Sequence, residues 1–420
     1  MSQGPLSGIR VVELTTAWAG PMVGRVLAWF GAEVIHVESP TRSNSWRANK
    51  EKPNPVNFPG GATGDRPFDR IFLFNSQNGN KRSLILDLKT SEGMRALRDL
   101  LATADVLTCN FRPDMLRRMK LDYASLAAVK ADIIVAELPA YGLEGPMADY
   151  AALGPTMEMA AGMAAMIGYP GGQPEVTGPS YLDPIGGFNG AAAILTALLY
   201  RQQSGKGQHI EIPQVEGAMQ FIGAELLAAA ETGTDTPRDG NHRAGAAPHD
   251  AFPAQGDDQW VVIAVFNDTE WASLAAAIGQ PELANDPRFA TTAARLAHQD
   301  ELTRILSAWT GKRDKHAIAD VLQAVGVASA PVQTPRDVAA SKHLAARNFF
   351  TPLERADLGR YPYPGIPIHL DRTPGRQVAV APAFGGDNAY ILGTILKRTP
   401  QEIAAMEACG AISSAPRPGA

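Results

Sequence analysis

Gly8-Ile9-Arg10-Val11-Val12-Glu13-Leu14 leads through Thr15-Thr16-Ala17-Trp18-Ala19-Gly20-Pro21 to Gly31-Ala32-Glu33-Val34-Ile35-His36-Val37, and this stretch decides the fold. The β-rich runs at 10–14 and 33–37 predict two strands, and residues 20–30 between them predict a helix. Strands joined in this way lie parallel. The alternation continues outward, with strands expected at 83–87, 106–109 and 133–137 and helices at 91–103 and 113–119. An α/β, Rossmann-like large domain with a parallel sheet follows from that order.

Residues 48–66 are rich in Asn, Pro and Gly and lack periodicity, so a long surface loop, functional or mobile, is expected there. A second punctuated stretch at 168–178 runs through Ser180-Tyr181-Leu182-Asp183-Pro184 into a helix over about 185–203. Ser204-Gly205-Lys206-Gly207-Gln208 stops that helix, and a strand follows at 209–212. From about residue 225 the pattern changes to a helix, a polar loop at 240–245, a strand at 260–265, and helices at 270–278 and 301–309. The expected organisation is a large domain over 1–224, a smaller α+β domain over 225–330, and a C-terminal segment over 331–420 that returns to the large domain.

Of the 420 residues 45% are hydrophobic and 19% charged, which is an ordinary globular balance. A net charge of −5 argues against a nucleic-acid binder, which needs a basic stripe. The two cysteines, Cys109 and Cys409, are too few and too distant for a disulfide framework or a thiolate metal cage, and they fit a reducing, cytoplasmic compartment. The chain enters its first strand without the basic and apolar regions of a secretory signal. Its apolar run at 191–200 falls short of the roughly 20 residues a membrane span requires, so no membrane partner is expected.

Several chemistries have no motif here. The phosphate-binding Gly-x-x-x-x-Gly-Lys-Ser/Thr loop, the dinucleotide Gly-x-Gly-x-x-Gly, the His-Glu-x-x-His zinc pair and the Gly-x-Ser-x-Gly elbow are all missing. His242 and His249 share a loop without companion ligands, so no metal site is expected. What remains is Asp183, carried by a turn into a helix. Asp is a preferred N-cap and Pro184 a preferred first helical residue, so capping alone accounts for the pair. Capping and catalysis are compatible, because a helix N-terminus keeps a carboxylate ionised, and an ionised carboxylate is a nucleophile.

An ordered series of segments resembles the family III CoA-transferases, the group that includes formyl-CoA:oxalate, carnitine and benzylsuccinate CoA-transferases. The series comprises the opening βαβ stretch; Asn80-Lys81-Arg82-Ser83; Leu86-Asp87-Leu88-Lys89; Asn110-Phe111-Arg112-Pro113; Tyr141-Gly142; Asp183; Asn241-His242-Arg243; Ala246-Ala247-Pro248-His249; and Ala381-Pro382-Ala383-Phe384-Gly385. It spans nearly the whole chain.

The resemblance implies an enzyme that moves coenzyme A from an acyl-CoA donor, such as succinyl-CoA, to a carboxylic acid through an aspartyl-CoA thioester on Asp183. It implies a CoA thioester as substrate, no permanently bound cofactor, and an interlocked homodimer or a heteromer with a paralogue. Trp18, Ala19, Leu86, Lys89, Asn110, Arg118, Met119 and Tyr141 match CoA-contacting positions, and the loop at 240–245 is a candidate oxyanion donor or an ordinary turn. Lys81, Arg82, Arg112 and Arg117 are expected on the solvated surface. Trp18 replaces a glutamine of the formyl-CoA:oxalate enzymes, which points to a bulkier or more apolar acid than oxalate. Two alternatives stay open: an acyl-CoA racemase of the same fold, whose second acid/base has only Ala152-Leu153-Gly154 to match it, and a non-catalytic partner subunit.

Overall fold

Strand β1 (Arg10–Leu14) is central in a six-stranded sheet of order β3-β2-β1-β4-β5-β6, whose other members are β2 (Glu33–Glu38), β3 (Arg82–Ile85), β4 (Val106–Cys109), β5 (Ile134–Glu137) and β6 (His209–Glu211). Every pairing is parallel; Val11, for instance, lies opposite Val34 on one side and Val106 on the other. The computed structural model describes residues 4–47 and 53–417.

Near-continuous apolar strands are what a sheet covered on both faces requires. Successive residues point to opposite faces, so Val12, Leu14, Ile35 and Leu107 pack on one side against α3 (Ser91–Leu101), while Val11, Val34, Val106 and Ile134 pack on the other. There they meet α1 (Ala19–Trp29) and α6 (Leu182–Ser204). A Cβ added at Gly187 would lie 2.5 Å from the Met22 Cβ and 2.9 Å from the Ala19 carbonyl oxygen, so this glycine sets how closely α6 approaches α1.

Helix α6 has 23 residues and a mean hydropathy of 1.3, long and apolar enough by length and composition to cross a membrane. It is longer than the expected 185–203 because it begins before Asp183. Its buried positions, among them Gly186, Gly190, Ile194 and Ala197, face the sheet domain's own core. The helix expected at 113–119 is only the four-residue α4 (Met115–Arg118), where Asp114, at φ 65°, takes a left-handed conformation. An antiparallel hairpin, β10 (Phe350–Arg355) with β11 (Gly359–Pro364), was not anticipated.

The chain divides into two compact units, the first holding residues 1–163, 176–227 and 346–420. The second, residues 164–175 and 228–345, has a three-stranded antiparallel sheet, β7 (His249–Pro253), β8 (Trp260–Ala264) and β9 (Ala328–Pro331). Helices α7 (Asp268–Ala277), α8 (Gln299–Thr310) and α9 (Lys315–Ala324) cover it around a core of Phe252, Val261, Ile263, Trp271 and Phe289.

Of the stretch at 48–66, residues 48–52 lie outside the described residues. Residues 53–66 are mostly exposed, as expected of a surface loop, but Phe58 and Pro59 anchor it inward and the Asn57 carbonyl accepts from the Phe72 N–H.

Lys81 is not solvated either. Its ammonium is enclosed and donates to Glu13 Oε1 at 2.7 Å, the Pro21 carbonyl and Asn78 Oδ1. His36 Nδ1 lies 2.8 Å from the same Glu13 oxygen. Next to this group, Arg47 forks onto both oxygens of Glu38 and onto Asp69 Oδ1, all within the sheet domain's interior. Arg82 is half-buried and pairs with Glu33 and Asp387. Arg112 and Arg117 are exposed.

Candidate active site

In an open parallel sheet the strand order reverses at one place, and the chain segments leaving the carboxyl ends of the two strands there diverge to form a crevice. Here that place lies between β1 and β4. A reciprocal pair of hydrogen bonds ties the two exits together: the Thr16 N–H donates to Asn110 Oδ1, and Asn110 Nδ2 donates to the Thr16 carbonyl, each at 2.9 Å. The β1 exit then bends through Ala17, at φ 57°, into Trp18 and the first residue of α1, Ala19.

Asp183 meets this turn from the other side. Capping was expected of it, but Tyr181 occupies the N-cap position of α6, and Asp183 sits inside the first turn with its N–H donating to the Ser180 carbonyl at 3.1 Å. Its carboxylate instead lies near the N-terminus of the neighbouring α1, where the Ala19 N–H acts to lower its pKa. Trp18, the N-cap residue of α1, offers no side-chain cap, and Asp183 approaches that open helix N-terminus from another element.

Two features make room. Ser180, at φ 51°, turns the chain sharply just before α6, in a left-handed conformation that side-chain-bearing residues rarely adopt and that functional sites often retain. Gly154 opens α5 (Gly154–Ala160), and a Cβ there would lie 2.3 Å from Asp183 Oδ2. A side chain at 154 and the carboxylate could not both keep their places.

Burial pushes the Asp183 carboxyl up to about 6; the Ala19 N–H opposes that rise and the Glu158 carboxylate adds to it. The helix terminus therefore does not win outright, because desolvation outweighs it. Above pH 6 the ionised form predominates. Among the described residues, Asp183 has no cation in ion-pair contact.

The other positions singled out in the sequence gather only in part. Trp18 is half-buried; its Nε1 donates to Gln77 Oε1 at 3.2 Å, and its ring meets Trp46 edge-on with centroids 5.5 Å apart. Gln77, at the end of α2 (Phe72–Gln77), also accepts from Arg25 Nη1 at 2.9 Å. Asn110 spends both ends of its amide on Thr16, so its evident task is holding the turn. Leu86 follows β3 with its side chain fully enclosed in the core, which leaves only backbone to a ligand. Lys89 and Arg118 are exposed, and Met119 packs partly on the core. Tyr141 follows β5 and stands edge-on to Tyr150 at 6.0 Å.

The loop at 240–245 belongs to the second unit. There the Gly240 N–H donates to the Gly168 carbonyl, and Arg238 holds the carbonyls of Ala165 and Gly172. Among the described residues no group of His, Cys, Asp and Glu could hold a metal ion. Glu158, Trp46 and Gln77 were not legible in the sequence: each is a common residue type in a segment without a motif, and only folding brings it beside Asp183 or Trp18.

The sequence profile of CoA-transferase family III matches residues 6–388. The chain belongs to that family. The succinyl-CoA–D-citramalate CoA-transferase of Chloroflexus aurantiacus is 32% identical over 96% of this chain and 97% of its own length. The succinate–glutarate CoA-transferase of Agrobacterium fabrum is 32% identical over 93% of this chain and 96% of its own length. A crystal structure of a CaiB/BaiF family protein from Brucella suis superposes with a TM-score of 0.84 at 30% identity, covering 94% of this chain and all of that one. This family III chain is thus a transferase whose substrates include CoA thioesters. The racemase alternative finds no support at its key position, where Leu153 has no titratable group and is 72% exposed.

Proposed function

We propose that the enzyme moves coenzyme A from succinyl-CoA to a carboxylic acid acceptor, with Asp183 as the covalent nucleophile. The observation that carries this reading is the Asp183 carboxylate itself: partly desolvated, without a cation among the described residues, and beside the Ala19 N–H at the crevice where the β1 and β4 exits part. An ion-paired carboxylate would be a poorer nucleophile. The choice of donor rests on the names of the two relatives, and a bulky or apolar acceptor rests on the Trp18–Trp46 pair.

In the first step an Asp183 oxygen attacks the thioester carbonyl, the C–S bond breaks, and a mixed anhydride and CoA thiolate result. The thiolate then attacks the aspartyl carbonyl, releasing the donor carboxylate and leaving an aspartyl-CoA thioester. An acceptor carboxylate attacks that thioester, forming a second anhydride and freeing the thiolate. Attack of the thiolate on the acceptor-derived carbonyl gives the new acyl-CoA and restores Asp183. No net bond energy need be supplied, since one thioester replaces another.

The Ala19 N–H, which favours negative charge on Asp183, is assigned to stabilise the aspartyl oxygen when the thiolate adds to its carbonyl. Arg118 and Lys89, exposed beyond the exits of β4 and β3, are assigned to the CoA phosphates. Trp18, Met119 and Tyr141 are assigned to its apolar parts, and Leu86 contributes through its backbone. The active form is proposed to be a cytoplasmic homodimer.

The test is covalent trapping. Wild type incubated with succinyl-CoA and quenched with hydroxylamine should carry a hydroxamate on the Asp183 peptide. Asp183→Asn should fold, retain the Ala19 contact through its amide oxygen, and lose at least about 1,000-fold in transfer. Transfer at the wild-type rate by that variant, with no label on the wild-type peptide, would refute the mechanism.

A further inference from the structure

Helix α5 presents a second carboxylate to the nucleophile. Glu158 lies four residues, about one helical turn, beyond Gly154, so both face the same way. Gly154 makes room for the Asp183 carboxylate, and Glu158 grips the chain that leads into it. Glu158 is fully buried. Its Oε2 accepts from the Thr177 N–H at 2.9 Å and from Thr177 Oγ1 at 2.8 Å, and its Oε1 accepts from the Tyr181 N–H at 3.2 Å. These three bonds span the segment Thr177-Gly178-Pro179-Ser180-Tyr181, which contains the left-handed Ser180 and ends two residues before Asp183.

A buried carboxylate that lacks a cation is costly unless several donors satisfy it, and here the donors all come from that one segment. Among the described residues Glu158 forms no ion pair, and it is the charged side chain felt most by Asp183. Besides burial, the influences on the Asp183 carboxyl are the Ala19 N–H and the Glu158 charge.

We propose that Glu158 is a positioning residue for CoA transfer: its two oxygens fix the 177–181 turn that leads into Asp183, and a second buried carboxylate thereby stands beside the first. The inference rests on Asp183 being the nucleophile. A thiolate must add to the aspartyl carbonyl along a narrow approach, and a turn free to shift by about 1 Å forfeits roughly 100-fold in rate. A more basic carboxylate is also a stronger nucleophile once ionised.

The pH profile separates this role from a merely structural one. Wild-type kcat/KM should fall in acid with an apparent pKa of about 6, set by Asp183. Glu158→Gln keeps the shape and an acceptor for Tyr181 but removes the charge. Its acid limb should move down by about half a unit to one unit, with kcat at pH 8 reduced roughly 10-fold to 100-fold and KM for succinyl-CoA within about twofold. Glu158→Asp restores the charge on a shorter arm, so its acid limb should return towards wild type while kcat stays low.

Should Glu158→Gln not fold, Thr177→Val removes one of the three bonds without touching the charge, and kcat should fall about twofold to tenfold at unchanged KM. An acid limb in Glu158→Gln identical to wild type, or a Thr177→Val enzyme with wild-type kcat, would overturn the proposal while leaving the nucleophile assignment standing. Absence of a hydroxamate on Asp183 in wild type would instead remove the assignment on which it rests.

Discussion

Two sets of buried carboxylates in the same domain are treated in opposite ways. Beneath β1, β2 and β3, burial pushes the Glu13 carboxyl up, but the Lys81 ammonium and the His36 ring outweigh it and hold the group below its ordinary value. Glu38 behaves likewise: burial raises it, and Arg47, with help from His36 and Ser83, brings it down. Asp183 is also desolvated, yet a single N–H faces it instead of a cation, and a second carboxylate stands behind it, so its carboxyl rises to about 6. The first set contributes to holding three strands together with Arg47 and Asp69. The second costs stability and contains the carboxylate proposed as nucleophile, which is the usual exchange at an active site.

Removing a cation from the compensated set should break the contrast most visibly. Lys81→Ala leaves Glu13 buried without its partner, and unfolding free energy at pH 7 should drop by about 3–5 kcal/mol, measured by urea titration. Glu13 in the wild type has a lowered folded value, so its stabilisation is complete above its unfolded value near 4.5 and is lost as pH falls. The deficit of the variant should accordingly shrink below that pH. A deficit under about 0.5 kcal/mol at pH 7 would show that the buried pair contributes nothing net.

The uncompensated set should respond with the opposite sign. Asp183 has a folded value of about 6 against an ordinary 3.8, so the folded state holds its proton more tightly and stability falls as pH rises through that window. Asp183→Asn removes the burden. The variant should be more stable than wild type by on the order of 2 kcal/mol at pH 8, with the difference approaching zero near pH 4. Thermal melts at the two values check this, and equal destabilisation at both would mean that the carboxylate chiefly supports the fold.

A smaller effect should come from Arg118, an exposed cation with no part in either buried set. Arg118→Ala should raise KM for succinyl-CoA about tenfold and leave kcat within about twofold, as steady-state kinetics would show. A collapsed kcat at constant KM would move Arg118 from ligand binding to the chemical step.

The sheet was legible because its information is local. Strands at 10–14 and 106–109 appear where their β-branched runs place them, and α1 is displaced by one residue from its expected bounds. Charged side chains were read less well. Lys81 carries the usual surface prior, and nothing in Asn80-Lys81-Arg82 announces that Glu13, 68 positions away, encloses one neighbour and not the other. Asp183 was legible as a residue but not in its setting: Pro184 suggested a cap for its own helix, whereas Tyr181 takes the N-cap position and Asp183 sits inside the first turn.

By itself the sequence determined the parallel α/β order, through periodicity, and the family, through an ordered series of motifs. Tertiary structure alone decided which carboxylates are paired and which are exposed to chemistry. Periodicity and propensity act over a few residues, while the energy of a buried charge depends on partners that chain folding brings from anywhere. For Asp183, burial with Ala19 and Glu158 nearby sets its protonation, and Gly154 leaves room for its carboxylate.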